Sequence, residues 1–364
     1  MKLRGGVLLT VTWCVFVGGA IRAAPVQLTK GPGDDTEAAW SPDGRAIVFQ
    51  RTLDGDADLQ VLNVATGAVK PLVIGPGEAL YPAWSPDGRF VAYSFGHITR
   101  TVAQGQERGY NLMIVPAAGG APQRLTDGLV RDYVPAFSPD GRSLYFSSTR
   151  EMKQSAVGIW RLPMPPPAGE ALPTPEPVIC RDANDCAAVQ PSLSPDGRFL
   201  AFGMIRGMRS NWIIMLAKAG QPEQVYPLTD PAWVCYGPRW SPDGKWLACT
   251  GYRPGDPGWG VYVIEVRSGG AMRLDTGPGN SRSPAWSPDG KQLVFENNRT
   301  GSYKLYRFSP QLPAHIANPQ AVEENMPPVL KLSFAGLTGE TVKDESAAGN
   351  DGKIVGSVTP ADGA

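Results

Sequence analysis

Trp40-Ser41-Pro42-Asp43-Gly44-Arg45, followed by Ala46-Ile47-Val48-Phe49, is the stretch on which the fold turns. Pro42 presets its φ for a turn. Asp43 and Gly44 supply a side-chain cap and the positive-φ freedom of a tight hairpin. The apolar run beyond it reads as a β-strand. The same tetrapeptide recurs at Ser85–Gly88, Ser138–Gly141, Ser194–Gly197, Ser241–Gly244 and Ser287–Gly290. Trp84, Phe137, Leu193, Trp240 and Trp286 precede these copies, 44 to 56 residues apart, and Arg or Lys follows every Gly. A third strand-like run follows each turn (Leu59–Leu62 and Leu112–Val115 are the first two) and a short fourth closes five of the units, as at Val69–Val73 and Gln123–Thr126. Four strands per unit of about 45 residues is the arithmetic of a β-propeller. Six units predict an all-β, six-bladed β-propeller.

The sixth unit lacks its fourth strand. An orphan copy, Val26-Gln27-Leu28-Thr29, stands near the start of the chain and resembles Gln123–Thr126 and Pro227-Leu228-Thr229. This N-terminal strand is expected to complete the last blade, which removes the open edge a sheet would otherwise carry.

Gly numbers 43 and Pro 36, a content found either in disorder or in many short strands joined by turns. Hydrophobic residues at 42% and ten Trp decide for the strands. Lys+Arg and Asp+Glu balance at 34 each, so no whole-molecule field draws the chain to nucleic acid or anionic lipid. Residues 1–24 read as a signal peptide: Lys2 and Arg4, an apolar run Val7–Val17, then small residues to Ala24. A periplasmic or secreted protein without a membrane span after cleavage is expected. The propeller is expected over 25–312 and a linker over 313–328. Cys180 and Cys186 flank a short polar stretch as a disulfide candidate, which export would permit.

Trp-Ser-Pro-Asp-Gly-Arg/Lys with an apolar strand, and Arg-Leu-Thr at 124–126 closing a unit, resembles the WD40-like (PD40) repeat of the TolB-type propeller. The resemblance covers about Val26 to Leu312. TolB itself carries a further N-terminal domain that does not fit before Val26, so its translocation role is not expected here. The segment 329–364 resembles the opening of a laminin-G-like jelly roll. It is either an incomplete copy of one or a loose tail.

Two rings of residues follow from repeat symmetry. Arg51, His97, Arg150, Arg206, Arg253 and Arg299 fall near the loops joining second and third strands. They form either a funnel for an anionic ligand or a set of local ion pairs with acids such as Asp35 and Asp132. Glu37, Tyr81, Val134, Gln190, Gly237 and Ser283 open the inner strands at the channel mouth. With only two His, no Gly-x-Ser-x-Gly elbow and no Cys/His cluster, neither a catalytic residue set nor a metal site is expected. No cofactor is expected beyond an axial cation as an open alternative. The expected function is a non-catalytic binding module or scaffold for protein or glycan partners in the cell envelope. The alternative is a polysaccharide-acting lyase or hydrolase using carboxylates and Arg at the mouth, which requires two convergent carboxylates of opposed pKa.

Overall fold

The computed structural model describes residues 24–317, apart from 103–104, 129, 152–155, 165–171, 180–185 and 207–210, together with 341–342 and 352–353. All regular structure among them is β, in a propeller-like arrangement. The strands are β1 Val26–Gln27, β2 Asp34–Trp40, β3 Ala46–Leu53, β4 Asp56–Asn63, β5 Val69–Val73, β6 Glu78–Trp84, β7 Phe90–Val102, β8 Gly105–Pro116 and β9 Gln123–Arg124. They continue with β10 Asp132–Phe137, β11 Ser143–Ser148, β12 Gly158–Pro163, β13 Glu176–Ile179, β14 Cys186–Leu193, β15 Phe199–Arg206, β16 Ile213–Lys218 and β17 Gln221–Pro227. The last are β18 Val234–Trp240, β19 Trp246–Tyr252, β20 Gly260–Glu265, β21 Ala271–Arg273, β22 Ser281–Trp286, β23 Leu293–Asn297 and β24 Lys304–Phe308.

Strands β10–β13, β14–β17 and β18–β21 form three four-stranded sheets, and β22, β23, β24 and β1 form a fourth. The units β2–β5 and β6–β9 share one eight-stranded sheet, joined where Ala57 pairs in parallel with Glu78. The orphan strand sits where the sequence predicts it, with Val26 opposite Arg307 and Gln27 opposite Tyr306. Its Leu-Thr ending explains the resemblance. The Thr29 hydroxyl accepts the Leu305 N–H at 3.0 Å, as Thr126 accepts Leu112 and Thr229 accepts Ile214, each at 2.9 Å.

Each Ser-Pro-Asp-Gly turn is locked the same way. In the first, the Ser41 hydroxyl donates to Asp43 Oδ1 at 2.6 Å and accepts the Ala46 N–H at 2.9 Å. Gly44 takes φ +71, the left-handed region that Gly enters without cost. The Ser41 hydroxyl, and after it the Arg45 N–H, hold the Asp43 carboxyl below its usual range. The turns also nest around the axis. A Cβ on Gly88 would lie 3.8 Å from Pro42 Cδ, one on Gly290 3.6 Å from Pro242, and one on Gly44 3.8 Å from Pro288.

The core lies between sheets. Ile47, Phe49 and Leu62 of the first unit pack with Ala285, Val294 and Leu305 of the last. A fully buried side chain of this size stabilises by about 1.5–3 kcal/mol, so this seam is a strong closure. The polar insertion 98–109 continues β7 and β8 as paired strands, with Arg100 opposite Glu107 and Val102 opposite Gly105. Its β-branched residues Ile98, Thr99, Thr101 and Val102 suit a strand. Of the expected linker, residues 313–317 are described. The Ile316 N–H donates to Glu265 Oε2 at 2.9 Å, which ties the chain to the β20–β21 hairpin. In the C-terminal segment, Thr341–Val342 pairs with Gly352–Lys353, and the rest lies outside the described residues, as do residues 1–23.

Candidate functional site: the channel mouth

Every inner strand carries a bulge at the same place. Between Thr36 and Ala39 the inner strand advances three residues while β3 advances two, and equivalent shifts occur in the other five inner strands. The bulged residues are the predicted second ring: Glu37 (φ 50), Tyr81 (φ 53), Val134 (φ 53), Gln190 (φ 57), Gly237 (φ 65) and Ser283 (φ 48). Left-handed backbone costs a non-Gly residue about 1–2 kcal/mol. Pro82, Pro135, Pro191, Pro238 and Pro284 follow five of them, a residue that needs no ladder hydrogen bond.

Neighbouring units hold these bulges in place. The Val134 N–H donates to Ser94 Oγ at 3.2 Å, Gln190 to Ser147 Oγ at 3.0 Å, and Ser283 to Thr250 Oγ1 at 2.9 Å. At the seam Glu37 donates to Glu296 Oε1 at 2.7 Å. Glu296 is fully buried, and its Oε2 accepts Arg282 Nε at 2.6 Å. Burial, then the nearby Glu37 charge, pushes the Glu296 carboxyl up to about 7 against the pull of Arg282. The Glu37 carboxylate in turn accepts the Ser283 hydroxyl at 3.1 Å.

Aromatic rings crowd this mouth. Tyr81 and Tyr133 lie 6.4 Å apart, Trp259 sits 5.6 Å from Tyr236 and 5.9 Å from Tyr252, and the Arg282 guanidinium stacks 3.8 Å from the Tyr303 ring. Burial raises the Tyr133 hydroxyl to about 12; burial, then the Glu37 charge, raises Tyr81 as well. These phenols are neutral donors at physiological pH. Glu296, Arg282, Tyr133, Tyr236 and Trp259 were not singled out from the sequence. Aligning the repeats would have flagged Glu296, which stands where other units carry Gln50, Ser94, Ser147, Gly203 and Thr250.

The described members of the cation ring are engaged within their own units. Arg51 Nε donates to the buried Asp35 at 2.6 Å, and Arg150 Nη2 to the buried Asp132 at 2.6 Å. Arg253 lies over Trp233 at 4.3 Å and Tyr262 at 5.0 Å. Arg299 donates to Asn297 Oδ1 at 2.8 Å and stacks on Tyr306 at 4.2 Å. His97 and Arg206 lie on β7 and β15, with side chains outside the described residues. Cys180 lies outside them too, as does the Cys186 side chain, so their pairing is not described. Cys235 and Cys249, on facing arms of the β18–β19 hairpin, are free, buried thiols. Among the described residues no group of three or more His, Cys, Asp or Glu side chains could hold a metal ion. No helix among them is long and apolar enough to cross a membrane.

This architecture is similar to that of the TolB-type β-propellers. Residues 178–317 match the family described as PD40, TolB beta propeller domain, so this part of the chain carries the repeats its sequence resembles. Over 173 residues it is 31% identical to the uncharacterized protein Atu1656 of Agrobacterium fabrum, covering 48% of this chain and 53% of that one. The chain thus spans about half the length of the curated relative it matches. Its fold is similar to crystalline TolB from Acinetobacter baumannii (TM-score 0.57, 18% identity, 71% of this chain and 59% of that one). It is also similar to an oligogalacturonate lyase in complex with manganese (TM-score 0.55, 19% identity, 79% of this chain and 80% of that one).

Proposed function

We propose that this chain is a six-bladed propeller of the cell envelope and a non-catalytic binding module, taking a protein or glycan partner at the mouth ringed by Glu37, Tyr81, Gln190 and Ser283. The six-blade count treats the shared sheet as two blades. It is supported by the cycle in which the Gly of each turn nests on the Pro of the preceding unit, ending with Gly44 on Pro288. The observation that carries the binding reading is the ring of strained bulges. Five non-Gly residues hold left-handed backbone at one repeat position, aimed at one mouth and surrounded by partly exposed Tyr and Trp. Strain concentrated at one locus points to use, and aromatic rings are the anchors of interfaces. The Arg51–Asp35 and Arg150–Asp132 pairs are assigned to the framework. Gln190→Trp, which fills the mouth, should abolish capture of the partner from envelope extract; an Arg150→Lys chain should keep it. Equal capture by Gln190→Trp overturns the placement.

One observation favours the second reading, a polysaccharide lyase or hydrolase. Glu37 and Glu296 converge, and Glu296 is held near neutrality while Glu37 stands beside it. Incubation with an acidic polysaccharide decides it. Unsaturated or reducing ends released by the wild type, and lost in Glu37→Gln, would establish the enzyme reading over the binding one.

A further inference from the structure

From Glu37, Tyr81 and Val134 of the mouth ring to the prolines of the Ser-Pro-Asp-Gly turns, the axis holds a cavity of about 340 Å³. Its wall includes the residue before each Trp-equivalent: Ala39, Ala83, Ala136, Ser192, Arg239 and Ala285. Five are small, and the fifth unit alone places a guanidinium in the channel. Arg239 Nη1 donates to the carbonyl of its own neighbour, Pro238, at 3.0 Å, and no carboxylate pairs with it among the described residues. Burial pulls its pKa below the ordinary value, with Glu37 as the opposing charge.

A second donor on the same wall is also unspent. The indole N–H of Trp84 donates to Ala39 O at 3.1 Å, Trp240 to Ser192 O at 3.1 Å, and Trp286 to Arg239 O at 3.2 Å. Trp40, only 9% exposed, makes no such bond. Buried donors without acceptors are costly. Guanidinium and indole N–H both ask for an acceptor, and only the guanidinium is charged.

We propose that the channel binds a small organic carboxylate, its oxygens on the Arg239 guanidinium and its body between the indoles of Trp40, Trp240 and Trp286. A planar carboxylate fits the guanidinium fork with two parallel hydrogen bonds. The cavity falls at the lower end of the range that holds small ligands. Phosphate fits less well, because a dianion would leave much of its hydration for a wall that offers one cation, sets the Glu37 carboxyl against a second negative charge, and is otherwise mostly small residues, aromatic rings and prolines. Glu37 and Tyr81 of the proposed partner surface also line this cavity, so the two sites adjoin, but carboxylate binding is measured on the purified chain and stands whether or not the partner reading holds.

The test is calorimetry and tryptophan fluorescence on the purified chain, with benzoate as probe, benzyl alcohol as its neutral counterpart, and inorganic phosphate. Benzoate should bind, and benzyl alcohol should bind at least about tenfold more weakly, the factor expected for one charge-assisted hydrogen-bond set. Arg239→Gln should weaken benzoate by a similar factor without lowering the melting temperature, since it removes a desolvated, unpaired charge. Should that variant not fold, Arg239→Lys keeps the charge, loses the fork, and should still bind more weakly. The proposal is overturned if benzoate gives no signal up to about 10 mM, if benzyl alcohol or phosphate binds as well, or if the folded Arg239 variants bind benzoate like the wild type.

Discussion

Oε1 of Glu296 accepts the backbone N–H of Glu37 at 2.7 Å, joining the last unit to the first across 259 residues of sequence. The same acceptor role falls to Ser94, Ser147 and Thr250 between other neighbours, but only at this seam is the acceptor ionisable. Closure of the ring should therefore depend on pH.

The sign follows from Glu296 being pushed up, to about 7 from an ordinary 4.5. A carboxyl more basic in the folded chain stabilises the fold fully below its unfolded value and loses that contribution as pH rises through its folded value. The melting temperature should fall between about pH 5 and pH 8, by a contribution on the order of 2–3 kcal/mol. Glu296→Gln should flatten that slope. Thermal melts across this range check it; an unchanged slope in the variant contradicts it.

Thr29→Val leaves the buried Leu305 N–H without its side-chain acceptor and should cost about 1–3 kcal/mol in urea unfolding. Thr126→Val, at the equivalent place against Leu112, should cost a similar amount. A loss at Thr126 with none at Thr29 would mean the N-terminal strand is not holding the ring.

Arg150→Ala strands the fully buried Asp132, which also holds the Ser148 hydroxyl at 2.6 Å. Breaking such a pair should cost about 3–5 kcal/mol in denaturant unfolding. The exposed Arg45, whose guanidinium stands 4.0 Å from Asp43, should change stability by less than about 1 kcal/mol on replacement by Ala.

Cys235 and Cys249 have no exposed surface. An alkylating reagent should leave both unmodified in the native chain and label both in denaturant, read by peptide mass spectrometry.

The strands were legible because the turn chemistry repeats: Ser, Pro, Asp and Gly each have a fixed task, and a six-fold coincidence is hard to misread. Strand β1 was legible for a narrower reason, that Leu28-Thr29 copies an ending whose hydroxyl caps a neighbouring strand. The second ring could be placed at the mouth, but not its conformation, since nothing in Glu37, Tyr81 or Val134 alone announces left-handed backbone; Gly237 and the five prolines beside the ring were the available signs. The cation ring shows the opposite difficulty. Repeat position put the arginines in register, while the partners of Arg253 and Arg299 are aromatic faces and an amide that a search for acids passes over. Arg239 escaped because reading each repeat by what it shares hides the one position where a unit departs from the rest.

The central claim is that the mouth, and not the hairpin face, receives the partner. A photo-crosslinking residue placed at Gln190, and separately at Arg45 on the turn side, tests it most directly in cells or envelope extract, with protein and carbohydrate adducts both read by mass spectrometry. The account predicts a defined adduct from position 190 and none from position 45. Adducts from position 45 alone, or the same adducts from both, would contradict it.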